Sequence, residues 1–314
     1  MTKFYNINGI ASDSPKNGFW VSEWSNHYSI NSNDDTTELD FKLISLSHKV
    51  ADKLFGSVQN FYGLLPSLTT IYSYAGVDSD IKISKGEFES WIKSENSEET
   101  NRILYYYDFQ NLVGSLQNLV SESRFLFCEF YKTLNENSFM LSSNPMKPDI
   151  VMFTSGQLVT NIFSKINHLF INLASQLDFI TKVAVELENL PKNFKEYPKL
   201  KSNNIQYSDY KKIKSITFSE TLFEKTDDLK LIISMRNEII HNASFENIPK
   251  VYQVFENNKL IEKFIFIPDT TEGVFDSFKN RKRFFNNEIK LNEILPALVA
   301  GFWKKLESTV DKLK

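Results

Sequence analysis

A chain of 314 residues with 41% apolar and 24% charged residues can build a sizeable core, in one large domain or two smaller ones, and is not disordered as a whole. The formal charge of −3 settles nothing about anionic partners, so that question passes to local charge. The single cysteine, Cys128, excludes an internal disulfide, and no window of about 18 uncharged apolar residues offers a membrane span, so no membrane partner and a cytoplasmic setting are expected.

Ten Gly and nine Pro are few for this length and favour long elements over a many-turned β-sandwich, while 27 Phe and 13 Tyr read as filling for a thick core. Residues 1 to about 36 are polar and broken by Gly9, Pro15 and Gly18, which predicts short strands or loops anchored by Trp20 and Trp24. From about 39 to 64, Ile44, His48, Ala51, Phe55, Val58 and Tyr62 recur at alternating steps of four and three, predicting one helical face that ends before Pro66. Asp78 and Asp80 invite a calcium-loop reading, but Ile83 stands where that loop needs Gly; a solvated turn before a short helix around Trp91 is expected.

Residues 98–136 predict a long helix with Leu104, Leu112, Leu116, Leu119, Phe127, Phe130 and Leu134 inward, and Cys128 reads as a buried, inert thiol. Asn144, Pro145 and Pro148 punctuate the chain. Residues 155–189 carry a long apolar stripe (Leu158, Ile162, Ile166, Leu169, Leu173, Leu177, Ile180, Ala184, Leu187) that ends before Pro191. A polar stretch, 191–217, leads to a helix over about 219–241. Residues 251–267 hold two β-rich runs around Asn257-Asn258, the pattern of a hairpin. The last helix, about 288–313, aligns Leu291, Ile294, Leu298, Phe302, Leu306 and Val310. The expected fold is mainly α: a bundle of long helices with a small β-hairpin inserted before the last helix, divided into residues 1–97 (the polar segment and first helices) and 98–314.

Phosphate-loop, dinucleotide-binding, His-Glu-x-x-His and paired-cysteine patterns are all missing, so no metal or cofactor is expected. His48 and His168 interrupt apolar helical patterns and read as hydrogen-bonded structural residues, and His27 lies in a polar segment. His241 differs, because it closes a helix whose final residues are Met235-Arg236-Asn237-Glu238-Ile239-Ile240-His241-Asn242. Asn237 and His241, four apart, lie within about 40° of each other around a helix, and Arg236 lies about 140° from His241. The helix end thus presents a polar wedge of Arg236, Asn237 and His241, with Ile239 and Ile240 on the apolar side. An imidazole there can donate a proton to a leaving oxygen while the guanidinium grips a phosphate with two parallel donors. The same residue types also solvate and cap a helix end without any chemistry.

Arg236-Asn237-x3-His241 resembles the Arg-x(4–6)-His signature of HEPN domains, with a polar residue directly after the Arg as in many of them. That family is an all-helical bundle, usually dimeric, and many members are metal-independent ribonucleases of toxin–antitoxin, abortive-infection and CRISPR-associated defence. The resemblance covers the helices from about 98 to 314 and implies that Arg236 and His241 are catalytic, with Asn237 in support. It further implies a homodimer acting on RNA and an inhibitory partner protein. Members silenced by nucleotidylation carry Tyr two residues after the His; here that position is Ala243. Two basic stretches suit an RNA partner. Residues 191–217 include Lys211, Lys212 and Lys214 interleaved with Tyr197, Tyr207 and Tyr210, and residues 279–283 include Arg281, Lys282 and Arg283 ahead of Phe284 and Phe285. A solvated charged loop explains each of them equally well. The competing expectation is a non-catalytic helical module that dimerises or binds a partner protein, and co-location of wedge and basic surface would separate the two.

Overall fold

The computed structural model describes residues 1–15, 18–22, 37–67, 70–139 and 150–313. Strands β1 (Phe4–Asn6) and β2 (Trp20–Ser22) precede helices α1 (Thr37–Phe55), α2 (Val58–Leu64), α3 (Thr70–Ser73), α4 (Lys85–Ser94) and α5 (Glu98–Glu136). Strand β3 (Ile150–Thr154), α6 (Gln157–Glu188) and α7 (Asp227–Asn242) follow. Four short strands, β4 (Val251–Glu256), β5 (Lys259–Phe264), β6 (Thr270–Thr271) and β7 (Val274–Phe275), lead to α8 (Leu291–Lys312). Helix takes up 55% of this structure, well above the usual third, so the protein is mainly α.

The chain forms two compact units, neither of them continuous. The first is Met1–Thr37, Leu119–Ser175 and Glu224–Lys305; the second is Glu38–Asn118, Gln176–Phe223 and Leu306–Lys314. A cut between residues 97 and 98 does not follow this division, because α5, α6 and α8 each change unit partway along. Trp24, His27, Asn144, Pro145 and Pro148 lie outside the described residues.

In the second unit α1 buries Leu39, Leu43, Leu46, Val50 and Ala51, while Ile44 and His48 are exposed. The expected face is therefore off by one residue, and His48 is a surface group. The single helix expected over 39–64 is two, because Gly56 takes a φ of +81° and the Ser57 hydroxyl accepts from the Asn60 amide at 3.0 Å to start α2 afresh. Asp78 closes a turn by accepting from the Asp80 amide at 2.9 Å. The Ser84–Glu87 capping box then opens α4, and Trp91 stacks on Tyr72 with ring centroids 4.2 Å apart.

In the first unit β3, β4 and β5 form an antiparallel sheet in that order. β4 turns into β5 through Asn257 and Asn258, both at positive φ, which tight two-residue turns between antiparallel strands require. The C-terminal end of α5 is tied to β1 by Asn135, whose amide accepts from Asn6 N–H at 3.0 Å and donates to its carbonyl at 2.9 Å. Lys263 is 3% exposed and donates to the carbonyls of Asn135 and Asn137 at 2.8 and 2.9 Å. Burial pushes its amine down to about 8. On α6 the expected stripe is buried except at its first member, Leu158, which is 42% exposed.

Candidate functional site

The candidate wedge lies wholly in the first unit, on α7. This helix starts at Asp227 rather than near residue 219, because the chain before it turns at Glu220 (φ +59°), where the Thr221 hydroxyl donates to the Phe218 carbonyl at 2.6 Å. Asp227 and Asp228 in its first turn suit the positive end of the helix dipole. Leu229, Ile232, Met235 and Ile239 are buried along one stripe. The turn between β6 and β7 packs on the start of α7. Only glycine fits there, since a Cβ on Gly273 (φ +77°) would stand 2.0 Å from the Asp227 carbonyl oxygen. Ser234 completes the fit by donating to the Gly273 carbonyl at 3.2 Å.

α7 ends where Ala243 adopts the left-handed conformation, φ +66°, so His241 stands in the last turn. His241 and Asn237 are exposed and Arg236 is half-buried, its Nη1 donating to Asn237 Oδ1 at 3.1 Å. The two isoleucines do not share a side. Ile239 is 8% exposed and joins the buried stripe, whereas Ile240 is 50% exposed, one turn beyond Arg236 and next to His241 in the chain.

Glu238, inside the motif, carries a function that sequence reasoning missed. Its carboxylate is buried and meets Lys282 Nζ at 2.9 Å, Asn242 Nδ2 at 2.8 Å and Arg283 Nη2 at 3.9 Å. Arg283 also donates to the carbonyls of Ser244 (2.7 Å) and Phe245 (3.2 Å), the residues just past the helix end. The segment 279–283 is therefore clamped against the end of α7. Of its three expected RNA-binding residues, Lys282 and Arg283 are engaged with the protein, while the side chain of Arg281 is exposed and its backbone pairs with Phe278. Phe278 and Phe284 beside them are 64% and 40% exposed. A lone acid on a helix reads as part of a solvated face, and its partners 44 and 45 residues onward arrive only through tertiary packing.

Lys211, Lys212 and Lys214 are exposed and belong to the second unit, so the structure does not bring them to the wedge within one unit. Lys212 pairs with Asp209 at 2.8 Å. The tyrosines interleaved with them serve the unit's own packing: Tyr210 is buried, Tyr207 donates to the Leu222 carbonyl at 2.5 Å, and Tyr197 donates to Asp108. His168 is exposed, not a core group, with Nε2 3.3 Å from Glu122 Oε1. Cys128 is buried.

The arrangement offers a guanidinium fork, a carboxamide and an accessible imidazole on one helix end, next to a fixed cationic segment. A fork of this kind binds a phosphate, and an imidazole within reach of a substrate oxygen exchanges a proton with it. Among the described residues, no group of three or more His, Cys, Asp or Glu side chains is placed to hold a metal ion. Among the same residues, no helix is long and apolar enough to cross a membrane. No family model, curated protein or solved structure matches the chain.

Proposed function

We propose that the protein is a metal-independent, HEPN-like endoribonuclease, a toxin or phage-defence effector that works in the cytoplasm as a homodimer and is restrained by an inhibitory partner protein. The observation that carries this reading is the clamp through Glu238, which holds Lys282 and Arg283 beside the helix end bearing Arg236, Asn237 and His241. Lys282 and Arg283 are spent on the end of α7, but they hold exposed Arg281 near that end, which supports a polyanionic substrate over a plain helix cap.

In this mechanism the ribose 2′-hydroxyl attacks its own phosphorus, the bond from phosphorus to the 5′-oxygen breaks, and the products are a 2′,3′-cyclic phosphate and a 5′-hydroxyl. His241 protonates the departing 5′-oxygen, Arg236 holds the charge gathering on the phosphoryl oxygens, and Asn237 orients the guanidinium. The proton from the 2′-hydroxyl passes to the imidazole of the second copy, which is why a twofold dimer is part of the reading. DNA lacks the attacking hydroxyl and is not a substrate.

The test is cleavage of total RNA by purified protein in EDTA, for wild type and for Arg236→Ala and His241→Ala. Wild type should cut, and each variant should lose about 10² to 10⁴ in rate. Their stability should stay within about 0.5 kcal/mol of wild type, because neither side chain is buried. One observation favours a non-catalytic interaction module instead: Ile240, in the last turn of α7, and Ile248, six residues past it, are 50% and 60% exposed. Folded wild type that leaves every RNA intact would move that reading ahead.

A further inference from the structure

A cleft of about 470 Å³ in the second unit is lined by Lys53, Arg102 and Lys192 and, among the described residues, by no carboxylate. Its other walls are Leu54, Leu190, Pro191 and Phe194. Three cations around one concave space give it a positive potential, which suits a negatively charged ligand.

The geometry of each cation sharpens this. The Arg102 guanidinium lies over the Phe194 ring, 5.3 Å from its centroid, and makes no hydrogen bond or ion pair with any described residue. Phe194 is itself fixed: Asn101 Nδ2 donates to its carbonyl at 3.0 Å, and the Tyr105 ring packs on it with centroids 5.9 Å apart. The fork is thus pre-positioned over the ring while its N–H donors stay unspent among the described residues, the arrangement that favours bidentate binding of an oxyanion. Lys53 donates to the Leu187 carbonyl at 3.2 Å, one of the last of α6, and so covers the negative end of that helix where it nears the cleft. Lys192 is exposed and forms no ion pair with a described residue. Glu98 and Glu99, a turn before Arg102, do not line the cleft.

We propose that this cleft binds a phosphate-bearing small molecule, its phosphate gripped by Arg102 between Lys53 and Lys192. A terminal phosphate or pyrophosphate carries the multiple charge that three cations match, whereas an internal phosphodiester of RNA carries one. The volume suits a small ligand. This site is separate from the α7 wedge and stands or falls independently of RNA cleavage.

The test is isothermal titration calorimetry at low ionic strength with inorganic pyrophosphate as the probe. Wild type should bind one equivalent saturably. Arg102→Gln should bind about tenfold to a hundredfold more weakly, the loss expected for charge-assisted hydrogen bonds. Arg102→Lys should recover only part of that loss, because a point charge does not replace the fork. Lys192→Gln, at an exposed position, should weaken binding several-fold, and Lys85→Gln, exposed in the same unit but outside the cleft, should leave it unchanged. No saturable binding, or equal binding by Arg102→Lys and wild type, would overturn the proposal. So would displacement of pyrophosphate by a 5′-hydroxyl RNA oligonucleotide in an Arg102-dependent way, which would assign the cleft to RNA.

Discussion

Replacing Glu238 by glutamine tests whether the basic segment is held to the end of α7 as the structure describes. The side chain of Glu238 is 9% exposed and that of Lys282 45% exposed, so the pair is buried on one side only. Breaking a fully buried pair destabilises by about 3–5 kcal/mol because a stranded charge remains. Here the lysine can rehydrate, and the amide of glutamine can still accept from Asn242, so the expected loss falls to about 1–2 kcal/mol. Lys282→Ala should lose a similar amount for the opposite reason: the carboxylate stays buried, but Asn242 and Arg283 remain beside it. The double variant should be less destabilised than the sum, giving a coupling of about 1 kcal/mol in a double-mutant cycle read from urea midpoints. A coupling within about 0.3 kcal/mol of zero would mean that the contact carries no energy and that Lys282 is free in solution.

Two further outcomes follow from buried or exposed groups in the first unit. Burial lowers Lys263 from 10.5 to about 8, so the unfolded chain holds the extra proton between those values; stability should rise with pH across that window by up to about 3 kcal/mol. Urea unfolding at pH 7.5 and 10.5 checks this, with Lys263→Met expected to lack the rise. Ile240→Glu places a charge on the exposed residue next to His241 and should convert the proposed homodimer to monomer in analytical ultracentrifugation, abolishing RNA cleavage with it.

The α6 stripe was legible because its apolar residues fall on one face over the whole element and only Leu158, in its first turn, escapes burial. α1 was misread for the opposite reason. Leu39, Leu43, Leu46 and Val50 recur at steps of four, three and four, as do Ile44, His48, Ala51 and Phe55; the purely aliphatic set took the core, joined from the other only by Ala51. The start of α7 was hidden because an apolar-rich segment before it is consumed by the turn at Glu220, whereas its end falls within a residue of the expected one. β3 is five residues long and pairs with residues about a hundred positions on, a partnership that no local pattern encodes. That Arg236, Asn237 and His241 share one helix was readable from their spacing. The clamp on Glu238 was not, since a lone acid on a helix usually means a solvated face, and its partners arrive through tertiary packing.

The proposed chemistry is tested most directly by one oligonucleotide. The scissile position of a cleaved RNA is first mapped in EDTA with wild-type protein, and the same strand is then made with a single 2′-deoxy nucleotide 5′ to that bond. Transesterification through the 2′-oxygen predicts that this strand is bound but not cut there, while neighbouring bonds are unaffected and the parent strand yields a 2′,3′-cyclic phosphate end. Cleavage at the deoxy position would contradict it, because the attacking atom would then have come from somewhere other than the substrate.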